Sequence, residues 1–284
     1  MQYRALLAPL LVLAVPTAGV AVPPPPAAPA FKPTRFSVVV QGTGPDVILI
    51  PGLTGSRDVW KGSVAAVPGF RYHLVQVAGF AGTAPGGNST GQVVAPLAEE
   101  IARYIASRRL QRPAIVGHSM GGTVAMMVAA RHPALAGRVM VVDMLPQPAG
   151  LIGGSANGMR GLADALKGLS GTESGRQLIQ SAIRIFGTDE TQNRGSDTDV
   201  VARATQELAT MDLTPELSRI KAPLTVLYAS PDDSRAPLVD RTYRAAYAAR
   251  PNAKLVRIDR SGHMIMYSQP ARFRAELKAF LARP

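Results

Sequence analysis

The sequence predicts an α/β fold: a mostly parallel central sheet with helices on both faces. Three observations carry that prediction. Short apolar runs without polar alternation recur along the chain, among them Val47-Ile48-Leu49-Ile50, Ala114-Ile115-Val116 and Val139-Met140-Val141-Val142. Segments with apolar residues at helical spacing separate these runs, such as Val93, Val94, Leu97, Ile101, Tyr104 and Ile105. One run leads directly into Gly117-His118-Ser119-Met120-Gly121 and then into a helix of small residues. Strands buried on both faces read as continuous apolar runs, and parallel neighbours need helical crossovers between them.

In chain order, the first residues read as an export signal outside the fold. Met1-Gln2-Tyr3-Arg4 is a short positive start, Ala5 to Pro16 is apolar, and Thr17 to Ala21 supplies small residues, with cleavage expected after Ala21. The apolar run is shorter than the ~20 residues a membrane span needs. No stable membrane insertion is expected after cleavage, and the protein is expected to be periplasmic or secreted. Residues 22–34 form a Pro-rich linker, extended and semi-rigid. The remaining 35–284 is expected to be one domain, as the 284-residue length allows.

Strands are expected at Phe36–Gln41, Val47–Ile50, Tyr72–Ala78, Ala114–Gly117, Arg138–Asp143, Leu224–Tyr228 and Lys254–Ile258. Helices are expected at Thr90–Arg109, Met120–Arg131, Ala236–Ala249 and Pro270–Leu281. The stretch from Pro146 to Ile220 breaks the alternation, with helical patterns near Leu162–Leu169, Gln177–Phe186 and Val200–Met211. It reads as a helical cap inserted at about 146–220, roofing a pocket beyond the carboxyl ends of the strands. Leu151, Ile152, Met159 and Leu162 favour an apolar substrate part there.

Composition narrows the function. Cysteine is absent, which excludes disulfides and thiolate metal sites. The net charge of +12 becomes +11 once residues 1–21, whose only charge is Arg4, are removed. The positive residues are scattered without a basic–aromatic stripe, so nucleic acid is not expected as a partner. The field they set up suits acidic substrates or an anionic surface.

The Gly-x-Ser-x-Gly turn carries the chemistry. A serine between strand and helix is held in a strained turn with its Oγ clear of the backbone, and side chains at Gly117 and Gly121 would collide with the neighbouring strand and helix. Its hydroxyl needs a base, and the base needs an orienting acid. Of His73, His118, His132 and His263, only His263 follows a strand end on the face that carries Ser119. His73 lies within a strand, His118 points away from the serine, and His132 lies at the far end of its helix. The acid is expected from another strand end: Asp232 first, then Asp233, with Asp143 as the outside alternative. The oxyanion is expected to be held by the backbone N–H groups of Met120 and of Leu53 in Pro51-Gly52-Leu53-Thr54-Gly55. Acyl transfer of this kind uses no cofactor or metal, and none is expected.

Together these residues resemble the α/β-hydrolase superfamily, from about Phe36 to the C-terminus. The resemblance rests on the order Ser119, Asp232, His263, on Gly117-His118-Ser119-Met120-Gly121-Gly122, on the Gly52-Leu53 loop with Trp60 after it, and on Ser261-Gly262-His263 followed by Pro270 and a closing helix. The sequence departs from the family pattern at Pro51-Gly52, where His-Gly is common, at Gln76 to Thr83, and at Ala229-Ser230-Pro231-Asp232. The resemblance implies a capped serine hydrolase cleaving small or medium carboxylic esters or lactones through an acyl-enzyme on Ser119. The alternatives are a non-hydrolytic member, such as a cofactor-free haloperoxidase, perhydrolase or lyase, and an inert binding or sensor module.

Overall fold

A seven-stranded sheet organises the molecule in the computed structural model, which describes residues 31–152 and 195–282. The strands are β1 (Phe36–Gln41), β2 (Asp46–Ile50), β3 (Arg71–Val77), β4 (Ala114–His118), β5 (Arg138–Val142), β6 (Leu224–Ser230) and β7 (Lys254–Asp259). Their spatial order is β1-β3-β2-β4-β5-β6-β7, parallel throughout except for the antiparallel edge pair β1·β3. The helices used below are α1 (Lys61–Ala66), α2 (Val94–Ser107), α3 (Met120–Arg131), α4 (Thr198–Thr210), α5 (Ala236–Ala246), α6 (Ile265–Ser268) and α7 (Pro270–Leu281).

The doubly apolar strands explain the layers. Successive residues of a strand face opposite sides. Ile48 and Ile50 of β2 enter one core with Leu97 and Ile101 of α2, Val124 of α3 and Leu208 of α4. Val47 and Leu49 enter the other with Trp60 and with Phe273 and Leu277 of α7. Both faces of β2 are therefore covered, which is why its sequence shows no polar alternation. Among the described residues no helix is long and apolar enough to cross a membrane.

The topology places the site. The chain runs from β2 outward to β3 and then crosses back to β4 on the other side of β2. Crevices open beyond the carboxyl ends of parallel strands at such a reversal. The loop after β2 and the turn after β4 therefore meet there.

Several boundaries differ from the sequence reading, with local causes. The helix expected from Thr90 begins at Val94, because its first N–H groups are capped from outside: the Glu207 carboxylate accepts from Val93, Val94 and Ala95 at 2.7 to 2.9 Å. That bond set ties α4 to α2. β5 ends at Val142 because Asp143 turns to φ +51°. β6 continues two residues beyond Tyr228, pairing Ser230 with Asp259 of β7. The helix expected to reach Ala249 ends at Ala246.

Of the segment expected as a cap, 146–152 and 195–220 are described, and the helical pattern near Val200–Met211 is α4. Asp197 starts that helix by accepting from the Asp199 and Val200 N–H groups. Its own N–H donates to the Gly79 carbonyl at 2.7 Å, and the Ala81 N–H donates to Ser196 Oγ at 2.9 Å. The start of α4 is thereby fixed to the loop after β3. The patterns near Leu162–Leu169 and Gln177–Phe186, with Met159, the Ile152 side chain, the export signal and most of the linker, lie outside the described residues.

Candidate active site

Ser119 occupies the turn between β4 and α3 with φ +53° and ψ −123°. A non-glycine residue at positive φ stores strain, of order 1–3 kcal/mol, that the surrounding structure must hold. The turn is held by the Ser119 N–H, which donates to the Val142 carbonyl at 2.9 Å, and by the Ser119 carbonyl, which accepts from the Gly122 and Thr123 N–H groups. Although Ser119 precedes a helix, its hydroxyl makes no capping bond to it. The flanking glycines are steric requirements. A Cβ on Gly117 would lie 2.0 Å from the Gly121 carbonyl oxygen, and one on Gly121 would lie 2.3 Å from that of Ile50.

The loop after β2 presses against this turn. A Cβ on Gly52 would lie 3.1 Å from the Ser119 Cβ and 2.9 Å from His118 Nδ1. Gly52 thus allows the loop after β2 to approach the serine closely. Among the described residues, no backbone carbonyl takes the N–H of Leu53 or of Met120.

His263 lies in the loop between β7 and α6, at the same end of the sheet. Its Nδ1 is 2.8 Å from Asp143 Oδ2. An ionised carboxylate only accepts, so Nδ1 carries the proton, and in the neutral imidazole Nε2 is the free acceptor. Among the described residues Nε2 is buried without a hydrogen-bond partner. The Ser119 hydroxyl is therefore not yet bonded to it, as is common before a substrate tightens such sites.

Asp143, just past β5, is buried and fully engaged. Oδ1 accepts from the Ala229 N–H and the Tyr243 hydroxyl, each at 2.9 Å, while Oδ2 accepts from His263 Nδ1–H at 2.8 Å. Its positive φ turns the side chain out of the strand, and its N–H donates to Leu227 at 2.7 Å.

The acid expected first, Asp232, is placed elsewhere. Because β6 runs on to Ser230, Asp232 falls in the next turn, where its carboxylate accepts from Ser234 Oγ at 2.6 Å and the Arg235 N–H at 2.9 Å. Those bonds, the Ser234 hydroxyl first, hold its carboxyl below the usual range. Asp233 is exposed in the same turn. The structure bonds His263 to Asp143 and to His118, the residue before Ser119, and sets Gly52, the residue before Leu53, against Ser119, while Asp232 and Asp233 lie in a separate turn. The sequence held a sign of this: Asp232-Asp233-Ser234 shortly before Ala236-Pro237 is a helix-start signal.

The other histidines are accounted for. His73 is bridged by Tyr104 and Asp46, each at 2.8 Å, and His132 contacts Glu99 at 2.8 Å. His118, expected to point away from the serine, reaches the main chain of the base. Its Nε2–H donates to the His263 carbonyl at 3.0 Å, and the two rings lie 4.7 Å apart. Burial, then the neighbouring His263, pushes its pKa down to about 3, so this imidazole is neutral. A cavity of about 450 Å³ lined by Arg71, His73, Tyr104 and Arg108 includes none of the residues gathered at Ser119.

A family model described as the alpha/beta hydrolase family matches residues 47–276. The chain belongs to the α/β-hydrolase family. Among relatives of this hydrolase is a protein of Pseudomonas syringae pv. syringae (strain B728a) with the provisional name carbamate hydrolase RutD. It is 25% identical over 262 residues, 87% of this chain and 98% of that protein. The pimeloyl-[acyl-carrier protein] methyl ester esterase of Aeromonas hydrophila subsp. hydrophila is 36% identical over 93 residues, 32% of this chain and 35% of that protein. Among solved structures, the enol-lactonase from Burkholderia xenovorans LB400 superimposes with a TM-score of 0.61 at 22% identity, covering 88% of this chain and 97% of that one. An esterase from Exiguobacterium antarcticum gives 0.69 at 18% identity, covering 88% and 96%. These two likenesses establish the shared fold of the hydrolase.

Proposed function

We propose that this hydrolase cleaves small or medium carboxylic esters or lactones through an acyl-enzyme on Ser119. The observation that carries the reading is the Asp143–His263 bond, which leaves a buried imidazole lone pair at the sheet end where the strained Ser119 stands. Ser119 Oγ attacks the acyl carbon while its proton passes to His263 Nε2. Asp143 fixes the tautomer and stabilises the imidazolium. The Leu53 and Met120 N–H groups receive the oxyanion, and collapse expels the alcohol, which takes the proton from His263. Water, deprotonated by His263, then attacks the acyl group and releases the acid, restoring Ser119. The names of the relatives, an ester esterase and a carbamate hydrolase, are compatible with attack on an acyl carbonyl.

A fluorophosphonate probe tests the nucleophile. Ser119 Oγ displaces fluoride from phosphorus, and labelling should disappear in Ser119→Ala. Absence of labelling in the wild type, or labelling that survives the substitution, contradicts the reading. Labelling without turnover across p-nitrophenyl esters of graded chain length and simple lactones would favour lyase or perhydrolase chemistry. Export is the second part of the proposal, supported by the charged start, apolar run and small residues of 1–21. N-terminal sequencing of the protein from a periplasmic or medium fraction should begin at Val22. Recovery of Met1 from the cytoplasm alone would contradict it.

A further inference from the structure

We propose that Tyr243 is a positioning residue of this site: its hydroxyl locks the Asp143 carboxylate in the one orientation that presents Oδ2 to His263. The inference rests on the reading of Asp143 as the orienting acid and adds a residue from a helix that none of the sequence motifs touches.

A carboxylate can exchange its two oxygens by rotating about its last bond. Asp143 is kept from doing so by the partners of Oδ1, which accepts from the Ala229 N–H and from Tyr243 Oη–H, each at 2.9 Å. Both lone pairs of Oδ1 are thereby filled, and Oδ2 is left to His263 Nδ1–H at 2.8 Å. The backbone donor alone would occupy only one of the two positions on Oδ1.

Tyr243 is built for a fixed role. Its ring is 3% exposed and stacks on Tyr228, 4.3 Å between centroids and 16° between planes, and lies nearly parallel to Tyr247 at 6.4 Å. The outer rings are themselves anchored: Tyr228 Oη donates to Asp240 and Tyr247 Oη donates to the Met144 carbonyl at 2.7 Å. Tyr243 on α5 and Tyr247 at its C-terminal cap are four residues apart and both are buried in the same core. Burial, then the charge of Asp143, holds the Tyr243 hydroxyl well above its ordinary range, so it stays protonated as a donor. Tyr247 shows the purely structural alternative, a hydroxyl satisfied by a main-chain carbonyl. The Tyr243 hydroxyl is bound instead to the carboxylate that contacts the base.

The experiment is Tyr243→Phe in the full chain, which keeps the stacked ring and removes one oxygen. Fluorophosphonate labelling at Ser119 is resolved into kinact and KI, and the downfield proton resonance of His263 Nδ1–H is followed by NMR. The expected result is a kinact about tenfold lower, the worth of one hydrogen bond to a charged group, with KI unchanged and with the resonance shifted and broadened as the carboxylate samples a second orientation. Tyr247→Phe is the control and should leave the resonance and kinact as in wild type. Wild-type kinact in Tyr243→Phe, or a lowered kinact with an unmoved resonance, overturns the proposal. If Tyr243→Phe does not fold, 3-fluorotyrosine at 243 keeps the ring and sharpens the donor, and an unmoved resonance then overturns it. Asp143→Asn separates the two ideas. If Asp143→Asn labels like wild type, the acid assignment itself has failed. If labelling collapses in Asp143→Asn while Tyr243→Phe is unaffected, only the role of Tyr243 has failed.

Discussion

Replacing His118 by Gln should make the protein markedly less sensitive to acid. The unfolded imidazole titrates near 6.5, and in the folded protein burial and the adjacent His263 push its pKa down to about 3. Between those values the unfolded chain binds a proton that the native chain refuses. Unfolding is therefore favoured as pH falls. The stability tied to a neutral His118 is complete above pH 6.5 and is lost as pH drops toward 3. The slope is about 1.4 kcal/mol per pH unit, or about 2–3 kcal/mol between pH 6 and pH 4. The groups near this ring are His263, whose ring is 4.7 Å away, and Asp143. Both remain in the variant. His73, likewise lowered chiefly by burial, contributes equally to both proteins. A Gln amide can still donate toward the His263 carbonyl but cannot titrate. Urea unfolding at half-unit steps from pH 4 to pH 7.5 measures the effect. The wild-type curve should fall more steeply than that of His118→Gln by about one proton's slope. Parallel curves would refute the argument that this buried imidazole is held neutral.

Other outcomes follow from particular contacts. Ser119→Ala keeps the strained φ of +53°, whereas Ser119→Gly releases it. Relief of ~1–3 kcal/mol exceeds the ~0.5–1 kcal/mol entropic cost of glycine, so urea unfolding should find the Gly variant more stable than the Ala variant; the reverse order contradicts a strained elbow. Glu207→Ala removes the carboxylate that caps three N–H groups of α2. It should cost about 1–2 kcal/mol and raise amide hydrogen exchange at Val93, Val94 and Ala95, and unchanged protection there would contradict the cap. Gly52→Ala drives a methyl against the Ser119 and His118 side chains at 3.1 and 2.9 Å. It should slow fluorophosphonate labelling about tenfold or more, since misplacing catalytic groups by a fraction of an ångström is costly; a wild-type rate would show that the loop yields freely.

How much of this was legible in the sequence depended on whether the cause was local. Gly117 and Gly121 are dictated by the turn itself, so the nucleophile motif could be read from five residues. The doubly buried strands were readable because both faces of β2 are covered and no polar alternation survives. The choice of acid was not local. It depends on β6 running to Ser230, on the positive φ of Asp143, and on α5 delivering Tyr243 from 100 residues away. Aspartates at two strand ends look alike until strand lengths and neighbours are known. The start of α2 escaped for the same reason, because its cap, Glu207, lies on α4 more than 110 residues later. His118 was read as pointing away from the serine, and the partner it reaches, a main-chain carbonyl, leaves no mark in the sequence.

The central claim is that Ser119, His263 and Asp143 form one working site, and the choice of acid decides it. Fluorophosphonate labelling of Asp143→Asn and Asp232→Asn, side by side with wild type, tests it most directly. A triad acid replaced by Asn costs about 10⁴-fold because the histidine takes the wrong tautomer. Labelling should therefore collapse in Asp143→Asn by about that order and stay near the wild-type rate in Asp232→Asn, whose carboxylate bonds only within its own turn. Rapid labelling of Asp143→Asn with loss in Asp232→Asn would contradict the account.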